Sequence, residues 1–193
     1  MKFSYTVKDK AIRNMLGADK LEPGEIFTMM NRIGQVVINS TKIGYMKRVS
    51  PNGIPWAPNS EFWAMLKGHD TPLVGPASKT IYGGWPKRAG YQFKKVNRRR
   101  MQNSLLKRVS IMEKKVEIEY EASVRERALK TQRGGKSQVV LEKTDDSEAQ
   151  VILNFRIPKR PHLGIADKFA RMGGKTDPQH IEENVVKVVD SKL

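Results

Sequence analysis

The fold class follows from residues 105–122, LLKRVSIMEKKVEIEYEA. In the second half, Lys115 to Ala122, apolar and acidic residues alternate with the two-residue period of a strand that buries one face. Leu105 to Ile111 is predicted as the antiparallel partner, joined by a turn at residues 112–114. The alternation assigns six residues to two faces: Val116, Ile118 and Tyr120 inside, and Glu117, Glu119 and Glu121 outside. Arg108 lies on the outer face of the partner strand, where opposite charges across two strands stabilise the pairing.

A strand and two helices are predicted before this hairpin. Alternation over Lys2 to Lys8 predicts the strand, and Asp9 is assigned as the cap of a short helix over Lys10 to Leu16. A long helix is predicted from Pro23 to about Arg48, because its apolar residues recur at the helical period. The apolar stripe consists of Ile26, Met30, Ile33, Val37 and Ile43.

A further short helix follows a run of turn-forming residues. It covers Glu61 to Lys67, with Ser60 or Asn59 as its N-cap and Gly68 at its end. The next stretch, residues 68–90, is rich in Gly, Pro and Lys. We interpret it as a long loop, a feature that is usually functional or mobile.

The C-terminal half adds two strands and three helices. Strands are predicted over Gln138 to Lys143 and over Gln150 to Ile157, separated by an acidic turn. Helices are predicted over Ser123 to Thr131, over Gly164 to Met172, and at the C-terminus after a cap at Asp177. The final helix carries one apolar face: Ile181, Val185, Val188 and Val189. The chain is therefore assigned to the α+β class, with an antiparallel sheet of four to five strands packed by a long N-terminal helix and a C-terminal helix.

The chain is strongly basic, and one segment holds most of the excess. Its length predicts a single domain, residues 1–193, with residues 68–104 as a basic loop or arm inserted into it. There are 36 Lys and Arg against 20 Asp and Glu, a net charge of +16, and the segment Lys87 to Lys115 alone contributes +10. Such an excess points to nucleic acid, an anionic surface or an acidic protein. The candidate contact residues are Lys94, Lys95, Arg98, Arg99 and Arg100.

Composition excludes several classes of protein. Because the chain has no Cys, it has no disulfide framework, no thiolate nucleophile and no Cys-based zinc module. No apolar stretch approaches the ~20 residues that a membrane span needs. The N-terminal residues lack the apolar region of a secretory signal, so we expect a soluble chain made in a cytosol.

No pattern supports catalysis or a bound cofactor. Residues 133–137, RGGKS, end like a phosphate-binding loop, but Lys130 occupies the position of the required first Gly, and a strand is predicted to follow. The three His are far apart, and the acidic turn at residues 145–148 lacks the pattern of a calcium loop. We therefore expect no enzyme activity, no catalytic residue, no cofactor and no metal.

Two proline-rich segments are unlike ordinary globular sequence. Residues 51–58, PNGIPWAP, follow the long helix, and residues 157–165, IPKRPHLGI, follow the last strand. Prolines and a large buried aromatic predict rigid turns, and Arg160 is expected to anchor the second segment to a carboxylate or to helix-end carbonyls. The motif residues singled out are Pro55, Trp56, Pro58, Arg160, Pro161, Leu163 and Gly164.

In this order, the two segments resemble the phage virion morphogenesis and tail completion family of Mu-like and related tailed phages. That family shows a long helix, a P-D/N-G-x-P-W-x-P turn and, near its end, an I-P-x-R-P-F/H-L-G motif. The resemblance covers most of residues 1–67 and 150–193. The chain departs from the family after the second helix, where a longer insert stands and residues 102–105 are the nearest echo of the usual D-T-G-x-L-x-x-S turn.

The resemblance implies a virion structural protein of the head–tail junction: a neck, tail completion or tail terminator protein. It would be assembled in the host cytoplasm and form part of a ring that joins the tail tube to the head connector. The implied partners are further copies of the chain in a ring oligomer, expected as a hexamer, the tail tube protein, the connector or neck proteins, and genomic DNA in the channel, with no membrane. Because ring subunits need heterologous interfaces that close, the basic insertion, residues 123–137 and the C-terminal helix are the expected contact surfaces.

The sequence leaves two alternatives to this function. One is a basic nucleic-acid-binding module that grips phosphate through residues 94–100, where cations follow two aromatic residues. The other is a transient virion assembly factor that is absent from the finished particle. Charge alone does not choose between DNA and an acidic neighbouring protein as the partner of the basic segment.

Overall fold

The structure is a computed structural model that describes residues 2–6, 21–70, 72, 89–93, 101–113, 115–146 and 148–190. Its elements in chain order are β1 (Lys2–Thr6), α1 (Pro23–Lys47), α2 (Glu61–Lys67), β2 (Tyr91–Phe93), β3 (Leu105–Ser110), β4 (Lys115–Tyr120), α3 (Ala122–Arg133), β5 (Gly135–Lys143), β6 (Gln150–Ile157) and α4 (Asp177–Asp190). Residues 101–103 form one 3-10 turn. The helix predicted over Lys10 to Leu16 lies outside the described residues. Among the described helices, none has both the length and the apolarity to cross a bilayer.

The described strands form two antiparallel sheets of three, in the orders β1–β4–β3 and β2–β5–β6. Together with the helices, they confirm the α+β class. Both predicted hairpins form, but the strands do not share one sheet, because each hairpin pairs with a different outer strand. Phe3 of β1 lies opposite Ile118, and Tyr91 of β2 lies opposite Lys143. Local alternation predicts a hairpin but does not specify which distant segment joins its edge.

The chain divides into two compact units. The first unit comprises residues 1–55, 101–128 and 161–193, and the second unit comprises residues 56–100 and 129–160. The first sheet belongs to the first unit and the second sheet to the second unit. The single domain with an insertion at residues 68–104 stays a prediction.

In the first unit, α1 packs against β3, β4 and α4. The helix begins and ends within one residue of its predicted bounds, and Glu22 N donates a 2.8 Å hydrogen bond to Glu25 Oε2 at its start. Met30, Ile33 and Val37 of the predicted stripe are buried. Gly34 permits the close approach, since a Cβ there would lie 2.4 Å from Lys107 Cδ and 2.9 Å from Val116 Cγ1.

The solvent face predicted for β4 is wrong at one position. Val116, Ile118 and Tyr120 are buried as predicted, but Glu119 is also only 1% exposed. Its two carboxylate oxygens each meet an arginine at 3.0 Å, Arg108 from β3 and Arg125 from α3. Arg108 therefore forms the predicted type of cross-strand ion pair. Arg125 supplies a second partner that the local strand pattern does not reveal.

The second unit has a small core of its own. Leu66 of α2 and the β5 residues Val139 and Leu141 are buried, and Trp63 stacks on Phe155 with ring centroids 4.5 Å apart. The caps of α2 are as predicted. Ser60 Oγ accepts a 3.2 Å hydrogen bond from Trp63 N, and Gly68 ends the helix with a φ of 74°, a left-handed conformation that favours glycine.

The helix predicted over Gly164 to Met172 does not form, and these residues are irregular. A long-range contact replaces the helical hydrogen bonds, because Ala166 N donates to Asp177 Oδ2 at 2.8 Å. Asp177 is therefore not the cap of α4. Thr176 precedes the helix, and its backbone N–H donates to Gln179 Oε1 at 2.8 Å. The predicted buried face of α4 is confirmed at three positions, Ile181, Val185 and Val188, while the side chain of Val189 lies outside the described set.

Candidate functional site

The first proline-rich segment forms a tight turn in the first unit and continues into the second. Ser50 N donates to Ile54 O at 2.8 Å, and Gly53 N donates back to Ser50 O at 3.0 Å. Pro55 forms an antiparallel bridge with Val49 at the end of this turn. Trp56 is 6% exposed, which confirms the expected buried aromatic.

Arg160 joins the two segments within the second unit. Its Nε donates to Ala57 O at 2.8 Å, and its Nη2 donates to Pro58 O at 2.9 Å and to Asn59 Oδ1 at 3.1 Å. The side chain is 4% exposed, and burial lowers the pKa of its guanidinium. Arg160 therefore meets the predicted kind of neutral acceptor, but the carbonyls belong to the other motif and lie before a helix. Three donors in a planar fork suit this arrangement, which a lysine would not reproduce.

The same two segments also meet inside the first unit. Gly164 adopts a φ of 156°, and a Cβ there would lie 2.9 Å from Pro51 Cγ. Leu163 beside it is buried, and Pro161 is half-buried. Sequences about one hundred residues apart are therefore packed against each other at two places, once in each unit.

His162 lies at the centre of a buried polar chain in the first unit. Its Nε2 donates to Ala128 O at 3.3 Å, so its Nδ1 accepts the 2.7 Å hydrogen bond from Tyr120 Oη. The Tyr120 oxygen in turn contacts the Tyr45 hydroxyl at 3.1 Å. Burial lowers the pKa of His162 to about 4 and raises the pKa of both tyrosines. His162 is therefore a packing residue, and the chain of hydrogen bonds fixes its neutral tautomer.

Arg171 is a buried anchor that the sequence analysis missed. Its guanidinium donates to Ser40 O at 3.2 Å and to Val49 O at 3.4 Å, and its side chain is 1% exposed. Gly44 leaves the room, since a Cβ there would lie 2.8 Å from Arg171 Cζ. Burial raises the pKa of the neighbouring Asp177 carboxyl. The only sequence feature that could have indicated this contact is the group of small residues around Gly44 in α1, which leaves space for a large side chain.

A basic groove lies in the second unit, with a cavity volume of about 640 Å³. It is lined by Pro58, Asn59, Ser60, Arg133, Gly134, Gly135, Arg156, Ile157, Pro158 and Lys159. Arg133, Gly134 and Gly135 of the RGGKS stretch line one wall. As predicted, a strand continues from this stretch, since β5 begins at Gly135, whereas a phosphate-binding loop requires a helix there. Gly134 has a φ of 75°, and a Cβ there would lie 2.9 Å from Lys159 N, so the wall is closely packed.

Two buried cations lie beneath this unit's surface. Lys67 is 3% exposed, and its pKa is lowered to about 8 by burial and by the charge of Arg160. Arg160 meets only neutral acceptors in the contacts given above. At Lys67, burial and the charge of Arg160 therefore outweigh the opposing charge of Asp70.

Three further predictions concern the basic cluster, a metal site and the acidic turn. Lys94, Lys95, Arg98, Arg99 and Arg100 lie outside the described residues. In the described part of the chain, no three His, Asp or Glu side chains come together as a metal site. The acidic sequence after β5 is a turn in which Glu148 N donates to Asp146 Oδ1 at 3.0 Å, as its interpretation as a hairpin turn predicted.

Comparison with known proteins finds no relative of this chain. No family model, curated protein or solved structure matches the chain. Its function is therefore argued from the two proline-rich segments and from the surfaces of the two units.

Proposed function

We propose that this chain is a virion structural protein of a tailed phage, acting at the head–tail junction in tail completion or termination. In this role it forms part of a ring, with copies of itself as the first partner and the tail tube and head connector proteins as neighbours. The proposal rests on the sequence resemblance and includes no catalytic step. The absence of enzyme activity stays a prediction.

One observation supports the proposal above the others. The two segments that carry the resemblance contact each other, through Arg160 on the Ala57 and Pro58 carbonyls and through Gly164 on Pro51. Segments so far apart in sequence gain a shared role when they pack against each other, and Arg160 with its three acceptors forms one such corner within the second unit. A fixed corner suits a subunit that must present loops to several neighbours.

The experiment is to determine the mass and symmetry of the purified chain, alone and in particles made by the genome that encodes it. Native mass spectrometry and averaged electron micrographs are expected to show a closed ring, and purified particles to contain the chain in fixed stoichiometry. Deleting the gene is expected to yield heads and tails that stay unjoined. A monomeric chain that never enters a particle contradicts the proposal, and a chain needed for joining but missing from particles indicates a transient assembly factor.

An R160K variant tests the corner itself. Lysine keeps the charge but offers a single ammonium, so it cannot satisfy the three acceptors of Arg160 together. We expect the second unit to lose about 1–3 kcal/mol of its free energy of unfolding and the ring yield to fall. K168Q changes an exposed side chain outside both segments and is expected to leave ring yield unchanged. Equal ring yields for R160K and the natural chain would show that the Arg160 contacts are not needed for ring formation.

A further inference from the structure

The second unit presents four cations that no carboxylate neutralises. Arg133, Lys136, Arg156 and Lys159 are exposed, and none of them makes an ion pair within the described ranges. Three of the four line the groove beside Gly134 and Gly135, and none of the other lining residues is acidic. The fourth, Lys136, follows this wall directly on β5.

One pair of these cations opposes folding. Lys136 and Arg156 are direct cross-strand partners in the β5–β6 ladder, and both side chains are exposed on the outer face of the sheet. Like charges in this position destabilise a sheet, by roughly 0.2–1 kcal/mol. Solubility alone does not require two cations directly opposite each other, because cations elsewhere on the surface give the same solubility without the repulsion. A bound anion would turn the same pair into a favourable arrangement.

The neighbouring residues indicate what kind of anion fits. The next exposed cross-strand pair on the same face is Gln138 and Asn154, two amides that donate and accept hydrogen bonds. Apolar lining comes only from Pro58, Ile157 and Pro158, with no aromatic or Met anchor of the kind that dominates protein–protein contacts. Two arginines and one lysine in an open groove, with a further lysine and two amides on the adjoining sheet face, are the kinds of side chain that contact nucleic-acid phosphates and sugars.

We propose that this groove and the adjoining end of the β5–β6 face bind the phosphate backbone of a nucleic acid. Arg133, Arg156 and Lys159 contact phosphates along the groove, and Lys136 extends the contact onto the sheet. The buried charge of Arg160 adds to the positive potential from below. None of these four residues belongs to the Lys94–Arg100 cluster. The proposal does not depend on a place in a virion, because the groove belongs to the second unit by itself.

The test uses the full chain and a fluorescein-labelled DNA duplex of mixed sequence, with binding followed by anisotropy at several salt concentrations. The groove variant is R133Q/K136Q/R156Q/K159Q. The matched control, R32Q/K42Q/K168Q/K187Q, removes four exposed cations of the first unit and lowers the net charge equally. Circular dichroism of both variants confirms that each is folded.

We expect the groove variant to bind DNA at least tenfold more weakly than the control variant. Each phosphate contact contributes ~0.9 to the slope of log affinity against log salt, so the loss of four lowers that slope by about 3 to 4. If both variants lose the same amount of DNA affinity, net charge alone explains the binding, and the proposal is overturned. An unchanged groove variant, with binding lost in R98Q/R99Q/R100Q instead, would also overturn it.

A second probe distinguishes nucleic acid from an acidic protein. Fluorescein-labelled poly-glutamate presents carboxylates on a polypeptide, and it is measured at the same salt concentrations with the same two variants. We expect weaker binding than for DNA and little difference between the variants. Poly-glutamate that binds as tightly as DNA, and is lost in the groove variant alone, would assign the groove to an acidic protein and overturn the proposal.

Discussion

The two units use buried charge in opposite ways. The first unit buries both signs of charge, since Glu119, Asp177 and Arg171 are all buried, and Glu119 also meets two arginines that are more exposed. The described part of the second unit buries two cations, Lys67 and Arg160, and no acid. Its surface cations around the groove are likewise unneutralised. Among the described residues, the buried charges therefore include acids in the first unit and only cations in the second.

This difference separates a packing role from a binding role. Buried ion pairs and hydrogen-bond chains, once satisfied, fix one arrangement of the elements around them. Cations that face water without partners add nothing to such an arrangement, but they create a field that attracts anions. We therefore expect the first unit to respond mainly in stability when its charged residues are changed, and the second unit mainly in binding.

The composition allows the two units to be followed separately. All three tryptophans lie in the residues of the second unit, whereas the long helices α1 and α4 belong to the first. During urea unfolding, tryptophan fluorescence therefore reports the second unit, and far-ultraviolet circular dichroism reports chiefly the first.

The largest expected effect comes from R171M. It removes the guanidinium that bonds Ser40 O and Val49 O, and it leaves Asp177 buried beside an apolar side chain. A buried acceptor that loses its donor costs about 1–3 kcal/mol, and two are affected here, so the circular dichroism transition moves to much lower urea. The fluorescence transition is expected to stay in place. We expect the double variant R171M/D177N to restore part of the lost stability. Equal shifts of the circular dichroism and fluorescence transitions would show that the two units unfold together as one.

A smaller effect is expected from acid, through His162. Burial lowers its pKa from 6.5 to about 4, so the unfolded chain takes up a proton at a pH where the folded chain does not. The stability contributed by the neutral His is complete above about pH 6.5 and is lost as the pH falls to about 4, by roughly 3 kcal/mol in total.

The measurement compares H162Q with the natural chain by circular dichroism at several pH values. Gln has no titrating group, so the variant starts less stable at neutral pH but loses less stability on acidification. Parallel curves for the two proteins would show that His162 does not carry the pH dependence of the first unit.

The smallest expected effect is a gain in stability. K136Q removes the repulsion with Arg156, and the second unit is expected to gain roughly 0.2–1 kcal/mol in its fluorescence transition. K143Q is the matched control on the same strand, because Lys143 faces Asp145 at 4.0 Å and its loss brings no gain. If K136Q is less stable than the natural chain, Lys136 stabilises the second unit, and the proposed difference between the two units is wrong at this position.

The sequence predicted the secondary structure wherever neighbours along the chain decide it. Helices α1 and α2, with the cap at Ser60, and the strands of both hairpins follow from periodicity and turn residues within single segments. The prediction was wrong where distant residues compete with local preference. Ala166 bonds to Asp177 in place of a helical carbonyl, and Glu119 is buried by arginines from two other elements.

For the site, the sequence singled out both proline-rich segments and, with Arg160, the residue that joins them. It did not identify Arg171 or the basic groove. The groove's cations come from the end of α3, the end of β6 and the residues just after β6, and each is unremarkable within its own segment. No local pattern shows that they share one wall.

The sequence by itself determined the α+β class, the bounds of α1 and α2, the excess of positive charge and the two motifs, because each depends on composition or on short-range periodicity. The tertiary structure alone decided that the strands form two sheets, that the motifs meet through Arg160 and Gly164, and which charges are paired. These depend on long-range contacts, whose energies no single segment contains. The tertiary structure also showed that Arg133, Arg156 and Lys159, which have no ion-pair partner among the described residues, line one groove in the second unit.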